Sequence, residues 1–168
     1  MLAAGYPEGS EKLWGAHHER QWDFLQRVVR EELDPGYDGA AEAGTPLCPE
    51  GTGAGCDTDY DFATRPPEVH RAVERVALTG RIRRPLISIQ GTLDALTPPS
   101  TFGDVYDRMV TVAGRARLHR YVLVPGGTHV DGVIPYDTDR LRPMLPSFVS
   151  AFAELEAWTA KGSRTKAG

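Results

Sequence analysis

No stretch of this sequence approaches the roughly 20 consecutive apolar residues that a membrane span requires. The opening MLAAGYPEGSEK has no basic start and no long apolar core, so it does not read as a secretory leader. Lysine is scarce beside arginine, and a formal net charge of −4 is too mild to mark the chain as a nucleic-acid binder. Cysteine is scarcer still, with Cys48 and Cys56 alone in CPEGTGAGC. Their spacing is wrong for a C-x-x-C redox pair, and no second pair exists to complete a zinc site. The glycines between them let the loop close, so a local disulfide and two free thiols both fit.

What remains, 168 residues with 25% charged and 40% hydrophobic, is the composition of one globular domain. Ser10 is placed to cap a helix running to about Leu33, with Leu13, Trp14, Leu25, Val28, Val29 and Leu33 roughly on one face and DPG ending it. His17 and His18 read as partly exposed residues of that helix. From Asp34 to Pro67 the chain is rich in Gly, Pro, Asp and Thr, longer than most loops in compact domains. Asp57, Asp59 and Asp61 alternate there, but the glycine and terminal glutamate of a calcium loop are absent, so a solvated acidic loop is the better reading.

From residue 67 the pattern sharpens. PPEVHRAVERVALTG predicts a helix with Val69, Val73, Val76 and Ala77 as its stripe, His70 on the wet side and Gly80 as its stop. RIRRP is a solvated entry to a strand at 86–90. Thr101 to Ala113 is an amphipathic helix with Phe102, Val105, Met109 and Val110 inward, ended by Gly114. A second strand spans 118–124. Pro143 and Pro146 open a last helix carrying Phe148, Val149, Phe152, Leu155 and Trp158, and the basic tail 161–168 reads as frayed. Helix, strand, helix, strand, helix predicts an α/β fold with a parallel sheet and flanking helices. In such sheets chemistry collects at the carboxyl ends of strands.

Two loops lie there. LISIQGTLDALTPP places Asp94 just past the first strand, and YVLVPGGTHVDG places His129 just past the second. Parallel neighbours lie about 4.8 Å apart, so an acid and an imidazole on adjacent strand ends can meet. Gly91, Gly126 and Gly127 permit sharp turns, and Pro98 and Pro99 stiffen the exit of the acid loop. Asp131 is the nearest competitor to Asp94 as the histidine's partner and reads instead as a turn cap. His119 lies at the wrong end of its strand.

GTLDALTP resembles the G-x-x-D-x-x-x-P loop after the penultimate core strand of α/β-hydrolases, and VPGGTHVDG resembles their histidine loop. The resemblance covers roughly residues 66–158 and implies that Asp94 is the triad acid and His129 the general base. The closer likeness is to tannase and feruloyl esterase-type enzymes and 3-hydroxybutyrate oligomer hydrolases. It implies a small-molecule ester substrate, no cofactor and no metal, and a secreted parent enzyme fits it, although the compartment stays open. Residues 1–66 would then be a helix plus an irregular, lid-like region, 67–160 the C-terminal part of the hydrolase core, and 161–168 a flexible tail. One departure is plain: tannase-type enzymes follow this histidine with a disulfide-bonded cysteine, and here Val130 stands there.

The third member of a triad is missing. No G-x-S-x-G elbow occurs. Ser10 reads as a cap, Ser88 lies inside a strand, Ser100 starts a helix after the acid, and Ser147 and Ser150 follow the histidine. Cys56 has no strand before it. Two parallel strands do not make an independent sheet, and an apolar strand without a neighbour invites pairing. The chain therefore reads as the C-terminal part of a serine ester hydrolase whose nucleophile lies outside it, in a missing N-terminal part or a partner chain. A non-catalytic module pairing through its open edge, and a metal-dependent hydrolase using His129, Asp131 and Asp94, are the alternatives.

Overall fold

Leu86–Gly91 forms strand β1 and His119–Val124 forms strand β2. They pair in parallel, Leu86 opposite His119 through Gly91 opposite Val124, in a two-stranded sheet. This is the expected α/β arrangement, seen in a computed structural model that describes residues 2, 5–15, 28–37 and 61–164. Among the described residues the α-helices, in chain order, are α1 (Glu31–Leu33), α2 (Pro67–Val76), α3 (Gly103–Val112) and α4 (Leu145–Arg164). Short 3-10 turns lie at Glu11–Leu13, Phe62–Thr64, Ala116–Leu118 and Asp131–Tyr136.

The chain divides into two compact units. One comprises Met1–Trp14 with Leu78–Gly168, the other Gly15–Ala77. The chain passes between the units at 14/15 and 77/78, so the first fourteen residues belong with the C-terminal unit. The reason is apolar: Tyr6 and Leu13 are buried in one cluster with Ala95, Val133 and Leu141, flanked by Trp14, Leu93 and Ile134. Lys12 pairs with Asp137 at 3.3 Å, and Arg140 faces Glu11 at 3.4 Å, fastening the same segment by charge.

In the larger unit the crossover from β1 to β2 runs through α3. Leu86, Ser88 and Gln90 share a face with His119 and Tyr121, and α3 lies over it with Val110 fully buried. Burying such a valine contributes about 1.5–3 kcal/mol. Gly114, at φ +68, ends the helix as expected. Phe102, expected inward, is 43% exposed. On the other face α4 packs against β1, with Ala151 buried. It runs to Arg164, and the rest of the expected tail, 165–168, lies outside the described residues. Leu145, Phe148, Val149 and Phe152, at i, i+3, i+4 and i+7, form a second apolar stripe on α4, each more than half exposed. The two-stranded sheet is too narrow to cover both stripes.

In the smaller unit, α2 starts with Pro67 at its first position and buries Val69 and Ala72. It ends at Val76, which is exposed, rather than at Gly80. Gly80 (φ +66) belongs to the larger unit, where a Cβ would strike the backbone of Met109 and Val110. His70 stacks on Phe62 at 4.3 Å between centroids. Asp34 ends α1, is buried, and pairs with Arg65. Asp61 caps the turn at Phe62–Thr64 by accepting the Ala63 N–H at 3.0 Å. The remainder of the expected first helix with His17 and His18, the acidic positions 57 and 59, and Cys48 and Cys56 lie outside the described residues.

Candidate active site

The two loops meet because their backbones touch. A Cβ on Gly91 would overlap the Gly127 carbonyl, so only glycine lets the strand ends approach this closely. Leu93 N–H donates to Gly127 O at 2.8 Å, Thr92 N–H to Val124 O at 3.0 Å, and Gly126 N–H to Thr92 Oγ1 at 2.9 Å. Gly126 sits at φ +71, which carries the chain round toward His129.

Asp94 is 3% exposed and saturated with donors. Its Oδ1 accepts the N–H groups of Leu96 at 3.0 Å and Thr97 at 2.9 Å. Its Oδ2 accepts Thr97 Oγ1–H at 2.9 Å and faces His129 Nδ1 at 3.0 Å. An ionised carboxylate only accepts, so the proton of the neutral ring is assigned to Nδ1 and Nε2 carries a lone pair. The hydrogen bond to Asp94, reinforced by its charge, raises the His129 pKa above the ordinary imidazole value, while partial burial opposes the rise. The ring is half-buried, and its Nε2 has no hydrogen-bond partner among the described residues.

His129 and Asp94 line an open cleft of about 370 Å³ with Leu78, Ile89, Phe102, Tyr106 and Met144. A wider cleft of about 600 Å³ around Gly9, Glu11 and Arg140 holds no imidazole. The structure thus brings together the acid and histidine that the sequence singled out. It supplies no hydroxyl or thiol bonded to Nε2 among the described residues. Ser10 donates to Pro7 O and accepts from Trp14 Nε1 rather than capping with its side chain. Ser100 donates to Gly5 O. Asp131 is committed elsewhere, accepting the Met144 and Leu145 N–H groups at the start of α4. Among the described residues no three His, Cys, Asp or Glu side chains gather to hold a metal ion.

A second relay was not legible in the sequence. His119 Nδ1 lies 2.9 Å from Asp107 Oδ1, and its Nε2 lies 2.9 Å from Ser88 Oγ. The bond pattern matches a serine triad. The surroundings do not: the His119 side chain is 1% exposed, Tyr106 meets it edge-on at 5.8 Å, and Tyr121 stacks on it at 6.4 Å. None of the clefts described opens on Ser88. Its role is to fasten α3 to the sheet. The signal available was the alternation placing Ser88 and His119 on one face, but their pairing across 31 residues depends on register.

Comparison with protein-family models, with curated proteins and with solved structures gives no match. The residues alone therefore carry the reading.

Proposed function

We propose that this chain carries the acid–base half of a serine carboxylic-ester hydrolase, with the nucleophile and oxyanion hole outside it. The observation that supports this most is the Asp94–His129 hydrogen bond, with Nε2 left bare at a cleft. In the proposed reaction Nε2 takes the proton of a serine hydroxyl as its oxygen attacks the ester carbonyl. Asp94 holds the Nδ1–H tautomer and stabilises the imidazolium that forms. The same proton passes to the leaving alcohol as the C–O bond breaks, leaving an acyl-serine. Nε2 then deprotonates water, which releases the acid and regenerates the hydroxyl.

The purified chain is expected not to turn over p-nitrophenyl butyrate. Supplied with a separate segment of strand, G-x-S-x-G and helix, encoded next to it, the chain is expected to gain turnover that His129→Ala removes. Robust turnover by the chain alone, abolished by His129→Ala, overturns the placement of the nucleophile. A complemented complex indifferent to His129→Ala overturns the role of the dyad.

A second reading, a non-catalytic module that pairs through its open sheet edge, is favoured by the exposed stripe Leu145, Phe148, Val149 and Phe152 beside β1. Size-exclusion chromatography and cross-linking discriminate: a well-behaved monomer counts against it.

A further inference from the structure

The bonds that orient Asp94 are internal to its own loop. Leu96 and Thr97 N–H and Thr97 Oγ1 all come from within three residues. Asp94 to Thr97 therefore behaves as one rigid piece, and its aim at His129 depends on what holds that piece against the sheet. At its near end the backbone bonds of Leu93 and Asp94 to Gly127 and Gly91 do so. At its far end the hold is a side chain. Gln90, the penultimate residue of β1 and 9% exposed, donates from Nε2 to the Thr97 carbonyl.

The other end of that amide is anchored too. Gln90 Oε1 accepts the Tyr121 hydroxyl at 3.1 Å, across the strand pair. A strut thus runs from β2 through β1 to the acid loop. It passes under the first residue of α3, Gly103, where a Cβ would collide with both Gln90 Oε1 and the Tyr121 hydroxyl. Glycine at this position is explained by the strut. An uncharged amide this buried would otherwise be a liability, since an unmade buried hydrogen bond is costly. Both ends of this one are used, one on Tyr121 and the other on the acid loop.

We propose that Gln90 is a positioning residue for the dyad: anchored on Tyr121, it holds the Thr97 carbonyl and so keeps the Asp94 carboxylate aimed at His129 Nδ1. The proposal rests on reading Asp94 and His129 as the acid–base pair, but its test needs no nucleophile.

The test is the titration of His129 in the isolated chain, followed by NMR of its ring nitrogens. Asp94 is the charged group acting on that ring. Asp104 and Asp107 face Tyr121, whose hydroxyl burial and Asp104 keep neutral across the histidine range. Gln90→Met and Tyr121→Phe exchange uncharged groups, so a moved midpoint reports a moved carboxylate rather than a changed charge. Asp94→Asn sets the limit, and its midpoint is expected to fall to the ordinary histidine value or below it, since partial burial then acts unopposed. Gln90→Met is expected to produce most of that fall, together with loss of the hydrogen-bonded Nδ1–H signal. Tyr121→Phe and Gly103→Ala, which loosen or displace the strut, are expected to give smaller falls in the same direction.

A folded Gln90→Met chain whose His129 midpoint stays at the wild-type value overturns the strut. Should that variant not fold, Tyr121→Phe decides in the same way, an unchanged midpoint counting against the proposal. If Asp94→Asn itself leaves the midpoint unchanged, the dyad fails and the strut with it. A fall with Asp94→Asn but none with Gln90→Met sinks the strut alone.

Discussion

At the carboxyl end of the β1–β2 pair, His129 meets Asp94 at 3.0 Å with its other nitrogen bare; at the amino end, His119 is bonded to Asp107 and Ser88 and sealed beneath Tyr106 and Tyr121. The buried histidine has all three members of a triad around it but is itself shut off from solvent, with Ser88 part-buried and Asp107 at the surface. The open dyad has access and lacks the third member. Hydrogen-bond geometry by itself therefore does not make a catalytic centre. A buried histidine satisfied on both nitrogens is a structural fastener, whereas a histidine fixed on one side only is poised to exchange a proton at the other.

The comparison breaks first on activity. In the complemented hydrolase, His129→Ala should lower turnover by about 10²–10⁴-fold, the usual worth of a general base, while Ser88→Ala leaves it within a few-fold. The order reverses for stability. His119→Ala should lower unfolding free energy by about 2–4 kcal/mol in urea titration, from the cavity and the orphaned Ser88 and Asp107, while His129→Ala costs less than about 1 kcal/mol. Ser88→Ala should cost about 1–3 kcal/mol by the same measurement, because it leaves a buried ring nitrogen unsatisfied. A fluorophosphonate probe should leave Ser88 unlabelled, as mass spectrometry of the digested chain would show.

The smallest effect is the one that pH should reveal. The folded-state pKa of His129 is raised above its unfolded value, so the dyad stabilises the fold fully below about pH 6.5. That contribution fades as pH rises through the raised folded midpoint. With the ring half exposed it should stay below about 1 kcal/mol. Comparing urea midpoints of wild type and Asp94→Asn from pH 5 to about 8 should show the difference shrinking with rising pH. A difference that grows with pH would contradict the assigned partner.

Much of the sheet was legible because its signals are local. Short apolar runs stopped by Gly91 and by Pro125 and Gly126 marked β1 and β2 nearly to the residue, and Gly114 marked the end of α3. Asp94 and His129 were legible for the same reason, each standing on a loop just past a strand. Three features were less visible. Tyr6 and Leu13 read as part of a separate N-terminal region, yet they pack beside Ala95 and support the acid loop. Gln90 read only as the end of a strand, since nothing local says which carbonyl it reaches. The arc of α4 looked like one core face, and four of its six large apolar residues, Leu145, Phe148, Val149 and Phe152, lie in the open.

Sequence alone determined the order of strands and helices, the loops that carry Asp94 and His129, and the lack of a serine elbow. Those follow from periodicity, turn residues and spacing within a few positions. Only the tertiary structure decided which aspartate meets which histidine, that Ser88 is bonded to a buried histidine, and that Gln90 and Tyr121 brace the acid loop. Each of those contacts joins residues far apart in the chain. The parallel register that sets Leu86 opposite His119 brings them to one face, and the burial beneath α3 and its neighbours separates the fastener from the site.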